Sequence, residues 1–311
     1  MDVVRINAIT KEYDKHKAVE ELSMNIPQGC IYGLLGPNGA GKTTTIRMML
    51  HIIMPDSGTI EVFGERMNER LTSRIGYLPE ERGLYKKMKV REMLKFLAEI
   101  KGVPGRKAIP VADEWLKRLD LIDYRDKKVD ELSKGMQQKV QFIGTILHDP
   151  ELVILDEPFS GMDPVNLNLL KDIIMEFKGK GRTIILSTHQ MEQAERLCDS
   201  ICFIDRARKV FDGSLQALKQ KYGKSNVVIE FYGEPVFLEQ CKEIIENVNY
   251  YSNYVEIRMK EGANAQVLLE HAIKTVTVER FQIMEPSLHD IFVEIVTLRK
   301  GSIEKQGEVE R

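Results

Sequence analysis

Cysteine, long apolar runs and an excess of one charge are all scarce in this chain, and each scarcity removes a class of protein. Four cysteines, at positions 30, 198, 202 and 241, form no zinc-type spacing and are too few to staple a secreted scaffold. Reduced thiols packed as small apolar side chains are the expectation. No apolar stretch approaches the roughly 18 residues that a membrane span needs. The opening Met1-Asp2-Val3-Val4-Arg5 lacks a secretory signal pattern. Lys plus Arg number 45 against 47 Asp plus Glu, a net charge of −2, which argues against a binder of nucleic acid or anionic membrane driven by charge. What is present is 43% hydrophobic and 30% charged residues in 311 positions, enough for one large domain and a smaller one, expected in the cytosol.

The most informative run is Gly36-Pro37-Asn38-Gly39-Ala40-Gly41-Lys42-Thr43-Thr44. It follows the apolar strand candidate Ile31–Leu35 and opens onto a helical pattern from Thr44 to Leu50, the context a phosphate site requires. Phosphate oxygens need backbone N–H groups converging from one side, and glycines at 36, 39 and 41 leave that backbone bare. The helix adds its free N–H groups and the positive end of its dipole. Lys42 can reach the β and γ phosphates, and the Thr43 hydroxyl can hold Mg²⁺.

Around this run the sequence alternates. Val3–Asn7 and Ala18–Ile26 read as strands around a loop carrying Tyr13. Further strands are predicted at Ile31–Leu35, Thr59–Phe63, Arg74–Leu78, Leu152–Leu155, Thr183–Ser187 and Ile201–Ile204, with helices at Pro164–Phe177 and Met191–Leu197. The later strands are unbroken aliphatic runs, as parallel strands buried on both faces are, so a layered α/β domain follows. From about 85 to 148 the pattern turns helical, at Val90–Ile100, Ala112–Leu119 and Met136–Leu147, with Asp130-Glu131-Leu132-Ser133 placed to cap the last helix. Beyond Gly223 the order strand Val227–Phe231, helix Pro235–Asn247, hairpin Asn249–Met259, helix Asn264–Lys274 and strand Val276–Met284 reads as a small ferredoxin-like sandwich. Ser287–Arg299 should close it as a helix, and 301–311 read as a disordered tail.

Hydrolysis of a nucleotide also needs a metal ligand, a group that orients water and a sensor of the γ-phosphate. Leu152-Val153-Ile154-Leu155-Asp156-Glu157-Pro158 places two carboxylates at the carboxyl end of an interior strand. Asp156 is suited to Mg²⁺ and Glu157 to general-base work. Ser187-Thr188-His189-Gln190 ends the next aliphatic strand, which puts His189 forward as a γ-phosphate contact, and Ser160-Gly161-Met162-Asp163-Pro164 follows the carboxylates.

Together these residues resemble the signature of the ATP-binding cassette (ABC) superfamily, from Val3 to about Phe211. Leu132-Ser133-Lys134-Gly135-Met136-Gln137-Gln138 stands where that family has its signature loop, Ser160–Pro164 resembles the D-loop with Asp163, and Tyr13 looks like the aromatic that stacks on adenine. The resemblance implies a P-loop NTPase cassette over 1–215, with a mostly parallel sheet and an inserted helical subdomain, followed by a small α+β accessory domain over 223–300. It also implies ATP and Mg²⁺ as ligands, and a sandwich of two cassettes in which Ser133 and the N–H of Gly135 touch the γ-phosphate held by the other copy. This chain has one copy of each motif, so a second cassette is implied, most simply a homodimer. Lys134 and Met136 replace the family's more usual Gly and Gln. Glu80 replaces the usual Gln as a metal ligand, which changes the charge beside the γ-phosphate.

Gly76-Tyr77-Leu78-Pro79-Glu80-Glu81-Arg82-Gly83-Leu84-Tyr85, with Glu285-Pro286-Ser287-Leu288-His289-Asp290-Ile291-Phe292, is similar to the sodium- and drug-exporter branch of that family. That branch implies an ATPase subunit on the cytoplasmic face of the membrane, working with a separate polytopic permease through a surface near Leu84, Tyr85 and Met88, and without nucleic acid. Two alternatives stay open at this point. One is a soluble ABC ATPase acting on ribosomes or DNA. The other is a weakly hydrolysing, nucleotide-gated module, motivated by Glu80, Lys134 and Met136.

Overall fold

The computed structural model describes residues 2–297 except 15, 67, 82, 223–225, 261 and 285. The expected tail at 301–311, and Arg82, Glu285 and Arg299 of the sequence motifs, therefore lie outside the described residues. Two compact units divide the chain, Met1–Ser214 and Leu215–Arg311.

In the first unit, β1 (Asp2–Tyr13) and β2 (His16–Pro27) form an antiparallel hairpin extended by β4 (Ser57–Val62) and β5 (Glu65–Arg66). β1 runs longer than the sequence pattern indicated. Tyr13 is its last residue, paired with His16, and does not stand in a long loop. Register shifts along this hairpin break the strict alternation that makes strands legible. The second sheet has six strands in the order β10-β9-β3-β8-β7-β6. These are β3 (Ile31–Leu35), β6 (Ile75–Leu78), β7 (Leu152–Asp156), β8 (Thr183–Thr188), β9 (Ser200–Asp205) and β10 (Arg208–Ser214). All neighbours are parallel except β10 on β9. Every residue of β3, β7 and β8 is buried, the reason their sequences are aliphatic without alternation.

The crossover helices are α1 (Lys42–Met49), the short α2 (Glu69–Thr72), α6 (Pro164–Gly179) and α7 (Met191–Leu197). Between β6 and β7 stand α3 (Val90–Ile100), α4 (Gly105–Arg118) and α5 (Lys134–Ile146), with two 3₁₀ turns at Ile122–Tyr124 and Val129–Glu131. α4 begins seven residues before the expected Ala112. It continues through Pro110, which removes one backbone hydrogen bond from the helix. Buried Ala108, Ala112 and Leu116 hold it down regardless.

The second unit comprises α8 (Leu215–Tyr222), β11 (Asn226–Tyr232), α9 (Val236–Gln240), β12 (Ile245–Tyr250), β13 (Tyr254–Met259), α10 (Ala265–Thr275), β14 (Thr277–Met284) and a helix over 288–297 (α11). Its antiparallel sheet has the order β12-β13-β11-β14, the ferredoxin-like arrangement. One expectation fails: the helix predicted over Pro235–Asn247 ends at Gln240, and residues from Ile245 form β12. Pairing of Ile245 with Met259 and Asn247 with Arg258 across the hairpin outweighs the helical propensity of that stretch. The four cysteines are free, three of them buried.

Candidate active site

Strand order decides which side chains meet. β8 lies between β3 and β7, with Leu35 opposite Thr188 and Asp156 opposite Ser187. The loop after β3, the turn after β8 and the carboxylates after β7 therefore stand side by side at the carboxyl ends of three adjacent strands, where ligands of open α/β sheets bind.

The loop from Gly36 to Gly41 feeds α1 without a side-chain cap, and no acidic residue occupies the helix's first turn. The free N–H groups and dipole at this end are left for an anion. Two glycines are required by geometry. A Cβ at Gly36 would lie 2.1 Å from the Ile204 carbonyl oxygen, and one at Gly41 would lie 2.3 Å from that of Ala18. Both have positive φ, +152° and +108°.

Lys42 is buried, and its ammonium is held by the carbonyl oxygens of Gly36 at 2.8 Å and Pro37 at 3.1 Å. Burial lowers its pKa, opposed by the charges of Glu157, Asp156 and Glu80. The Thr43 hydroxyl donates to Asp156 Oδ2 at 2.8 Å. Asp156 is 1% exposed, and its Oδ1 has no hydrogen-bond partner among the described residues. Burial raises its pKa, opposed in part by the neighbouring Ser187 hydroxyl and the bond from Thr43. A buried, unpartnered carboxylate oxygen beside a threonine hydroxyl is a donor set that fits a hard divalent cation such as Mg²⁺.

Glu157 is fixed from several sides. Its backbone sits at φ +48°, in the left-handed region that non-glycine residues enter at a cost of about 1–3 kcal/mol. Its N–H donates to the Ser187 carbonyl at 2.9 Å. Oε2 accepts from the Thr188 hydroxyl at 2.9 Å, and Oε1 accepts from the His189 backbone N–H at 2.9 Å and the His189 ring at 2.7 Å. Lys42 Nζ lies 3.9 Å from Oε1. Because the carboxylate accepts, His189 Nδ1 carries the proton of this bond.

Asn38, Gly39, Gly41, Lys42, Thr43, Thr44, Glu80, Asp156 and Glu157 thus line one pocket of about 340 Å³, joined by Ala18. Gly36, Pro37, Ala40 and His189, and likewise Tyr13, Ser133, Gly135 and Asp163, do not line it. Tyr13 is 46% exposed at the end of β1. Ser133 caps α5 by accepting from Met136 N–H at 3.3 Å. Asp163 caps α6, accepting from the N–H groups of Val165 and Asn166 at 3.1 and 3.0 Å. Two positioning residues carried no strong sequence signal. Thr188 was visible only as the end of an aliphatic run, and Gln138 donates to the carbonyls of Pro158 and Ser160, tying α5 to the loop after the carboxylates.

Comparison with known proteins agrees with this geometry. The ABC transporter family profile matches residues 19–160, and that of the DrrA1-3-like ATP-binding protein C-terminal domain matches 213–296. An uncharacterised ABC transporter ATP-binding protein of Bacillus subtilis, YhaQ, is 43% identical over 94% of this chain and 98% of its own length. Nod factor export ATP-binding protein I of Mesorhizobium japonicum is 36% identical over 80% of this chain and 72% of its own. A solved ATP-binding subunit of an ABC transporter superposes with a TM-score of 0.67 at 30% identity, covering 71% of this chain and 93% of that one. With its phosphate loop, carboxylate pair and histidine at the carboxyl ends of three adjacent strands, the chain belongs to the ABC transporter ATP-binding proteins, as an ATPase subunit that carries a DrrA-like C-terminal domain.

Proposed function

We propose that this chain powers an exporter by ATP-driven pairing of two cassettes, with Glu157 as the residue that activates water. The observation that carries this reading is the fixation of Glu157 by Thr188 and His189, with Lys42 beside it. In this reading the backbone of Gly36, Pro37, Asn38, Gly39, Ala40 and Gly41, with Thr44, cradles the phosphates, and Lys42 holds the β and γ groups. Thr43, Asp156 and Glu80 would hold Mg²⁺, which when bound offsets charge developing on the phosphoryl oxygens. His189 contacts the γ-phosphate and steadies Glu157, while Tyr13 stacks on adenine. Ser133 and the Gly135 N–H meet the γ-phosphate of a second copy of this chain, with Asp163 at the same junction. α5 supports that role, because its first turn holds no acidic residue to oppose a phosphate.

The other partner is a polytopic permease, and the chain works peripherally at the cytoplasmic face of its membrane. No helix among the described residues is long and apolar enough to cross a membrane. Support for a docking surface comes from Tyr85, 53% exposed, edge-on to the half-exposed Phe96 ring with centroids 5.5 Å apart. The export-type names of relatives such as that of Mesorhizobium japonicum favour export over import.

ATP turnover by the purified chain tests the catalytic part. Glu157→Gln should lower phosphate release by about 10²–10⁴-fold, and equal release from both proteins would remove Glu157 from this role. The coupling part is tested by affinity purification from membranes. Changing Leu84 and Tyr85 to alanine should lose a copurifying polytopic protein, and full retention would move the docking surface elsewhere.

A further inference from the structure

The inner end of the phosphate pocket carries three carboxylates, Glu80, Asp156 and Glu157, against the single ammonium of Lys42. Two of them are tied down: Asp156 by Thr43, and Glu157 by Thr188 and His189. Glu80 differs. It follows β6 in an exposed position and has no hydrogen-bond or ion-pair partner among the described residues, yet its charge reaches Lys42. One ammonium cannot neutralise three carboxylates, so by formal charge the lining side chains oppose a polyanion that the free N–H groups of the loop and of α1 attract. A metal-free triphosphate meets that field with its full charge. A triphosphate that arrives with a divalent cation meets it with much less, and the cation gains the carboxylates as neighbours.

We propose that Glu80 makes nucleotide capture conditional on the metal, so that the site rejects free ATP and admits its magnesium complex. The inference rests on the nucleotide-site reading above and adds a specificity element to it. Glu80 is suited to this because its charge is not consumed by a partner among the described residues. It is also separate from Glu157, so the filter on what enters is distinct from the group that activates water. Exposure limits the effect by solvent screening to about a factor of ten in affinity.

The test measures equilibrium binding of a non-hydrolysable ATP analogue to the full chain by calorimetry, once in EDTA and once in excess magnesium. Glu80→Gln should bind the analogue about tenfold more tightly in EDTA and no more tightly in magnesium, where a ligand of the cation is lost, so that the magnesium preference narrows. Glu80→Ala should narrow it in the same way, whereas Glu80→Asp should retain it. An unchanged ratio in Glu80→Gln, or equal weakening under both conditions, would overturn the role of Glu80 alone. Absence of binding by every variant in both conditions would overturn the nucleotide-site reading itself, and this proposal with it.

Discussion

Asp156 is buried with one oxygen bonded to Thr43 and the other unpartnered, an arrangement that lowers stability for the sake of a ligand. Burial raises its pKa above the ordinary carboxylate value, so the folded protein keeps this proton to higher pH than the unfolded chain does. Stability contributed by this group therefore falls as pH rises from the unfolded pKa through the folded one, and the loss persists at neutral pH. Asp156→Asn should remove that loss and raise the metal-free melting temperature by about 2–4 °C for each kcal/mol recovered. The further rise that magnesium and ATP give the natural protein should largely disappear. Scanning fluorimetry checks both, and a variant that melts lower without metal would contradict the assignment. Asp156 and Glu157 were legible because four aliphatic residues place them at a strand end. Thr188 was not, because one hydroxyl after an aliphatic run looks the same whether it faces solvent or a catalytic carboxylate. Glu80 was legible as a carboxylate near the site, but its lack of a partner among the described residues emerges only in three dimensions.

Helix ends show the same tension at the scale of the element. Gly135, second residue of α5, has open space where a Cβ would project and is not at positive φ, so neither sterics nor backbone geometry requires glycine. Gly135→Ala should therefore stabilise the protein by about 0.5–1 kcal/mol in chemical denaturation, while weakening ATP-dependent pairing. A destabilised variant with pairing intact would show that this glycine is structural. Gly41, with its Cβ path blocked by the Ala18 carbonyl, is the opposite case. Elements fixed by burial alone, such as β3, β7 and β8, declare themselves in sequence. Those fixed by a partner strand do so less: β12 exists because β13 pairs with it, and its first residues, Ile245 to Asn247, read as the end of a helix. α4 runs the other way, starting before the expected Ala112, since its packing overrides the bond that Pro110 removes.

Across the whole molecule, the α/β and ferredoxin-like classes followed from alternation of elements along the chain, because each alternation is local. The order of strands was not readable. That β8 separates β3 from β7, and so brings His189 between the phosphate loop and the carboxylates, depends on pairing between segments about 150 residues apart. The residues proposed to complete the site from a second copy, Ser133 and Gly135, stand outside the pocket within one chain, as a shared site requires. Light scattering on the size-fractionated full-length Glu157→Gln variant addresses this most directly. In magnesium and ATP the variant should have twice the monomer mass, and should return to monomer mass in EDTA or when Ser133 is also replaced by a bulky residue. A species that stays monomeric while demonstrably holding ATP would contradict the pairing.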